Sequence, residues 1–284
     1  MKDNSLIVKD SEIKGPEDFG YEAIRKSLRT EWLGKGDSLI FFPTIDSTNE
    51  EAKRRAEKGA PHGLMLVSDE QTAGKGRRGR SWSSPHGTMT AMSYLLRPEI
   101  PADRASMLTL VMALACMRAV EITSGVPAMI KWPNDIVIKG RKVSGILTEM
   151  VPEGEGIKYV VIGTGINVNQ KEFPEEIAET ATSLFIETGQ LISRSLITAE
   201  CARQFEECYG IFERDRDLRN LRDEYNSKCV NTGNRVKVLD PKGEYVGSSE
   251  GITDSGKLMV RLEDGGIAEV DSGEVSVRGI YGYV

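Results

Sequence analysis

The segment Gly74-Lys75-Gly76-Arg77-Arg78-Gly79-Arg80 places four cations and three glycines in seven positions. Guanidinium groups pair with carboxylate or phosphate in a fork and stay charged at any relevant pH. Glycines let a backbone approach a ligand closely. Such a loop suits a substrate carrying both a carboxylate and a triphosphate. A solvated surface turn is the plainer reading, weakened here because the loop lies between two apolar strands. Gly74, Gly76 and Gly79 also fit G-x-G-x-x-G, but a dinucleotide site needs a helix opening at the third glycine. The chain continues instead as RSWSSPHGT, with Pro85 and Gly87 and no apolar period. No G-x-x-x-x-G-K-[ST] loop is present. Contacts to nucleic-acid phosphates find no second basic cluster to support them. Only about 36 residues precede the first expected strand, against the ~60 of a helix-turn-helix domain.

The second charged constellation is KWPNDI (131–136). A lysine at a strand end beside an Asn-Asp turn is a point cation fixed in space. An ordinary Pro-Asn-Asp turn accounts for the same residues. GRKVSGILTE comes next, with Lys142 beside the small residues Ser144 and Gly145, and GTGINVN (163–169) interrupts an apolar strand in the same way. Small residues in a strand mark places where something packs against the backbone.

The elements that must hold these groups can be read from periodicity. Tyr21, Ile24, Leu28 and Trp32 recur at helical intervals over 18–33, and Gly34 stops the pattern. SLIFFP (38–43) reads as a strand. Ser47 with Glu50 forms a capping-box pattern that opens a helix. LMLVSDE (64–70) and TAMSYLLR (90–97) read as strands flanking the loop, and a long helix covers 102–124. Strands MIKW, DIVI, KVSGILTEM and KYVVIGTGINV fill 128–167, and helices come after them at 193–213 and 216–226. Beyond Cys229, four or five short strands with turns at PKGE, DSGK and DGG read as a small β-barrel of about 55 residues. The texture changes near 226–232.

Bulk composition narrows the classes. The 284 residues carry a net charge of −6, which disfavours general polyanion binding. Cys116, Cys201, Cys208 and Cys229 form no C-x-x-C pair and only His62 and His86 are present, so neither zinc nor a disulfide framework is expected. A reduced cytoplasmic compartment is the default. The polar start MKDNSLIVKDSEIKG has no apolar signal region. No run approaches the ~18 apolar residues of a membrane span, and MLTLVMALACMRAV reads as a buried helix.

Taken in order, DSTN (46–49), EQTAGKGRRGRSW (70–82), SPHGT (84–88), KWPND (131–135), GRKVSGIL (140–147), GTGINVN (163–169) and TSLFIETG (182–189) resemble the motifs of biotin protein ligases of the BirA type. The resemblance implies an α+β fold: a mixed β-sheet flanked by helices, similar to class II aminoacyl-tRNA synthetase cores, then a small SH3-like barrel. A catalytic domain would span 1–228 and the barrel 229–284. It implies that biotin and MgATP give biotinyl-5′-AMP and pyrophosphate, and that biotin then passes to one lysine of a biotin carboxyl carrier domain in a biotin-dependent carboxylase. A monomer or homodimer, acting without nucleic acid or membrane, is expected.

By the same resemblance, Lys131 and Arg77 would be catalytic, both touching the reacting carboxylate and phosphate. Ser47, Thr48, Asn49, Gln71, Gly74, Lys75, Gly76, Gly145 and Gly165 would bind biotin. Arg78, Arg80, Trp82, Asn134, Lys142 and Asn167 would bind ATP or the adenylate, with Mg²⁺ accompanying ATP and no metal site of the protein's own. Two positions depart from the family pattern. Lys75 stands where arginine is common, and Ala91 stands where a larger side chain often walls the biotin pocket. Like-charge repulsion predicts that the loop is not a fixed structure until it orders over biotin or adenylate. Lipoate-protein ligases share the fold, but their R-R-x-x-G-G-G-type loop is absent. A repressor role would need an N-terminal winged helix, for which the length is short. A catalytically dead biotin binder is the third alternative.

Overall fold

Strand β1 (Leu39–Ile45) and strand β2 (Leu64–Gln71) run parallel, joined over helix α2 (Thr48–Glu57). This is the one crossover unit in a sheet otherwise paired antiparallel. Strand β3 (Met89–Leu96) comes next, buried along its whole length, as expected where helices cover both faces. Then come β4 (Met129–Lys131), β5 (Asp135–Ile138), β6 (Arg141–Glu153) and β7 (Gly156–Asn167). The seven strands lie in the order β1-β2-β3-β7-β6-β5-β4. The computed structural model describes residues 19–82, 85–240, 243–273, 275–279 and 283–284.

One face of the sheet carries α1 (Tyr21–Ser27), α3 (Met107–Ser124) and α6 (Arg194–Asp215). Helix α3 ends on Gly125 at φ +70°, a left-handed position that glycine adopts without strain. By length and composition α3 and its approach could cross a membrane, which corrects the expectation that no run comes near that length. Yet 72% of its most apolar window is buried inside the protein, against α6 and the sheet. The other face is covered by α2, whose Ala52 and Ala56 pack on Leu64, Leu66, Leu95, Tyr159 and Val161. Short helices α4 (Glu175–Ala178) and α5 (Leu184–Thr188) precede α6, and α7 (Arg222–Lys228) succeeds it.

Strands β8 (Arg235–Asp240), β9 (Gly243–Ile252), β10 (Leu258–Arg261), β11 (Ile267–Val270) and β12 (Ser276–Gly279) form a second sheet, ordered β11-β10-β9-β8-β12. Its apolar side chains Val236, Val238, Ile252 and Leu258 belong to the same core as α3 and α6. The C-terminal β unit is therefore packed onto the helices of the first sheet. All four cysteines are free and buried.

Two elements are shorter than periodicity suggests. The helix expected over 18–33 stops at Ser27, because the Glu206 carboxylate of α6 accepts the backbone N–H groups of Glu31, Trp32 and Leu33 at 2.6–3.0 Å. The helix expected from 216 begins only at Arg222. The capping box at α2 is not made. Ser47 occupies the N-cap without a capping hydrogen bond, and Glu50 binds Lys53 at 2.7 Å and Lys75 at 2.6 Å instead.

Candidate active site

The Gly-Arg segment folds as a small hairpin. Lys75 bridges to Ser81, the Gly76 N–H donates to the Arg80 carbonyl at 2.7 Å, and the Trp82 N–H donates to the Gly74 carbonyl at 2.9 Å. Arg78 takes the left-handed φ of +59° at the tip. Repulsion among the cations, expected to leave this loop unfixed, is offset by specific acceptors. Lys75 pairs with Glu50, and Arg77 donates to Asn134 Oδ1 at 2.9 Å and to the Ser272 and Gly273 carbonyls at 2.6 Å. Beyond the loop, Asp69 holds His86 at 3.0 Å, the Gly87 N–H at 2.9 Å and the buried Arg194, so the chain returns into β3 at a fixed angle.

Two cavities meet beneath this hairpin, and Gly76, Arg77, Trp82, Asn134 and Lys142 line both. The first, about 50 Å³, is lined mainly by small and uncharged polar residues, with Lys75, Arg77 and Lys142 as its charged ones. The N-terminus of α2 supplies Ser47, Thr48 and Asn49; β2 supplies Gln71; Ala91, Gly145 and Gly165 form its floor. Gln71 Oε1 accepts the Thr48 N–H at 2.8 Å, fixing the helix end against the strand. Asn49 is held by Glu149 at 2.8 Å and by Ser93 at 2.6 Å. Gly145, Gly163 and Gly165 leave the space these side chains occupy: a Cβ on Gly165 would sit 2.5 Å from Trp82 Nε1, and one on Gly163 2.1 Å from Asn49 Oδ1. The Trp82 indole lies over Gly145 and Gly165, and Gly165 is the register partner of Ala91.

The second cavity, about 130 Å³, is lined by Arg78, Arg80, Lys131, Arg278 and Tyr283 as well as Asp135. Lys131 and Asp135 sit opposite each other across β4–β5, whose connection contains the cis Trp132–Pro133 peptide. Trp132 is buried and donates to the Gly256 carbonyl at 3.2 Å, so this turn is anchored in the second sheet. Burial pushes the Lys131 ammonium down to about 8. Asp135 pulls it the other way, while Lys142, Arg278 and Arg80 add to the lowering. Burial alone would raise the Asp135 carboxyl, but Lys142 and Lys131 outweigh it and hold it below the ordinary range. Burial also lowers Arg77 from the usual arginine value, with Asp135 opposing.

Most of the residues singled out in the sequence come together here, with three differences. Lys131 lines only the cation-rich cavity. Gly74 lines neither and acts through its carbonyl on Trp82. Asn167 also lines neither; its amide donates to the Thr182 carbonyl at 3.1 Å and holds the segment whose neighbour Thr180 accepts the Lys142 N–H. Sequence reasoning misses Thr164, whose hydroxyl is buried without a hydrogen-bond partner among the described residues and lines the first cavity. It misses Arg278 and Tyr283 too. GTGINVN could have pointed to Thr164, but nothing local marks the other two.

A recess lined by small and polar side chains joins a cation-lined recess through residues common to both, an arrangement that suits an enzyme activating a carboxylate with a nucleotide. Residues 41–167 match the Biotin/lipoate A/B protein ligase family, and residues 232–278 match the Biotin protein ligase C terminal domain. The chain is 36% identical to the bifunctional ligase/repressor BirA of Bacillus subtilis, over 93% of this chain and 81% of that protein. It is 32% identical to the biotin–[acetyl-CoA-carboxylase] ligase of Mycobacterium tuberculosis, over 88% and 94%. A solved structure of the Aquifex aeolicus biotin protein ligase with biotin and ATP superposes with a TM-score of 0.75 at 34% identity, covering 85% of this chain and 98% of that one. The chain belongs to the biotin protein ligase family.

Proposed function

We propose that the protein activates biotin with ATP and transfers it to a lysine of a biotin carboxyl carrier domain. The observation that carries this reading is the junction of the two cavities at Arg77, Trp82 and Lys142. In the first step a biotin carboxylate oxygen attacks the α-phosphorus of ATP. A C(O)–O–P linkage forms and pyrophosphate leaves with the electrons of the broken P–O bond. In the second step the carrier lysine's neutral amine attacks the carbonyl, an amide forms, AMP leaves and a proton is released.

Two anions must meet in the first step, and cations are what bring them together. Lys131 is the group for the reacting oxygen and the α-phosphate. Arg77 bridges the two recesses, and Arg78 and Arg80 take the outgoing phosphates. Ser47, Thr48, Asn49 and Gln71 suit biotin's polar ring system, with Gly145 and Gly165 permitting close approach. Lys142 and Asn134 lie on the adenylate side, and Asn167 acts behind them by holding the segment paired with Lys142. Mg²⁺ enters as the counter-ion of ATP, as part of the substrate. Closure of the hairpin keeps water from the mixed anhydride. Residues 1–228 form the catalytic unit and 229–284 the C-terminal one. The enzyme acts in the cytoplasm, as a monomer or homodimer, with the carrier domain of a biotin-dependent carboxylase as its partner and without nucleic acid.

ATP–pyrophosphate exchange tests this reading. Exchange dependent on biotin, and not on lipoate, is the expected result. Exchange with lipoate alone would overturn it.

A further inference from the structure

Tyr283 belongs to none of the motifs above, yet its side chain lies between two residues of the cation-lined cavity. Its hydroxyl donates to Asp135 Oδ2 at 2.5 Å, and its ring centroid lies 4.2 Å from the Lys131 Nζ. The other Asp135 oxygen, Oδ1, forms a 2.6 Å ion pair with Lys142. Lys131 and Asp135 face each other across β4–β5, a placement in which opposite charges ordinarily pair. Among the described residues no ion pair joins them, and the Lys131 ammonium makes no hydrogen bond, its contact being the Tyr283 ring. Both carboxylate oxygens are already engaged, one by Lys142 and one by Tyr283.

We propose that Tyr283 is a positioning residue for biotin activation: by holding Asp135 it keeps the Lys131 ammonium unpaired and turned to the cavity. This rests on the reading of Lys131 as the cation that acts on the reacting anions. A tyrosine ring holds a desolvated ammonium more weakly than a buried carboxylate does. An incoming phosphate then has only a ring contact to displace. Burial, with Asp135 adding to it, keeps the phenol well above its ordinary pKa, so it remains a donor throughout the working range. The charged and titratable groups facing Lys131 are Asp135 on β5, Lys142 on β6, Arg278 on β12, Arg80 in the hairpin and Tyr283 itself.

The test is biotin-dependent ATP–pyrophosphate exchange by the whole protein, with folding checked by thermal melting. Tyr283→Phe keeps the ring and removes the donor. Its kcat is expected to fall about tenfold, the scale of a lost hydrogen bond to a charged group. The KM for biotin should stay within about twofold, because the effect lies in the activation step. Asp135 then captures Lys131, so the basic limb of kcat/KM for ATP moves to higher pH. In an Asp135→Asn background the same change should add no further loss. Two results overturn the proposal: a Tyr283→Phe protein with wild-type kcat and pH profile, or a Tyr283→Leu protein with raised kcat and lowered KM for ATP, which would make the ring an obstruction. Full activity in Lys131→Ala removes the parent reading and this one with it. An inactive Lys131→Ala beside a wild-type-like Tyr283→Phe removes this one alone.

Discussion

The indole of Trp82 lies against the backbone of Gly165, with Nε1 buried and lacking a hydrogen-bond partner among the described residues. A buried donor without an acceptor costs about 1–3 kcal/mol. The cavity it borders, about 50 Å³, falls below the roughly 300 Å³ of a small-molecule site. Admitting a ligand of that size requires lining side chains to move, and the indole is expected to be one of them, its shift exposing Nε1 to an acceptor. Biotin with ATP is expected to change the intrinsic fluorescence. Of the three tryptophans, Trp32 packs on His62 and Tyr209 and Trp132 is anchored on Gly256. Trp82→Phe should abolish the change; a response that survives it belongs to another tryptophan.

Lys131 gives a pH signature. Its amine is held at about 8 by burial. In the proposed mechanism the ammonium is the acting form; it is present below that value and lost as pH rises through it. The kcat/KM for ATP should fall on the basic side of about pH 8, and the limb for kcat should lie higher, because bound anions favour the charged form. Lys131→Arg should flatten the limb while slowing the reaction. An unmoved limb in that variant assigns the titration to another group.

Gly163→Ala should destabilise the fold. Its Cβ would fall 2.1 Å from Asn49 Oδ1, and Asn49 is held by Ser93, by Glu149 and by the Leu147 carbonyl at 3.3 Å, so it has nowhere to go. Urea unfolding should show a loss of about 1–3 kcal/mol, the usual cost of overpacking. Unchanged stability would mean that Asn49 can repack.

Arg77 ties the hairpin to Asn134 of the β4–β5 connection through one guanidinium nitrogen, and to the Ser272, Gly273 and Val275 carbonyls between β11 and β12 through the other. A lysine ammonium cannot span them. Trypsin cleavage after Arg78 and Arg80 should be about tenfold faster in Arg77→Lys, through easier local opening. In the unaltered protein biotin with ATP should slow the same cleavage. Absence of protection would rule out closure of the hairpin over the substrates.

Local signals are sufficient for the strands and for the two charged constellations, since alternation, turn residues and small residues act within a few positions. The misreadings have distant causes. Helix α1 ends early because a carboxylate on α6 takes the N–H groups that would continue it. The reciprocal half of the capping box is lost because Glu50 is drawn to Lys53 and Lys75, leaving the Ser47 N–H to Asp46 Oδ1. The placing of Trp82 over Gly145 and Gly165 depends on the register of β6 with β7, which no window of residues reports. Tyr283 meets Asp135 across 148 positions of chain.

The four cysteines, each enclosed in the interior, have a practical consequence. Maleimide or iodoacetamide reagents meet no native thiol at the surface. A single Arg78→Cys substitution at the tip of the hairpin would therefore take a fluorophore or spin label alone, with no prior removal of native cysteines. The signal of that label would report the hairpin's mobility before and after biotin is added.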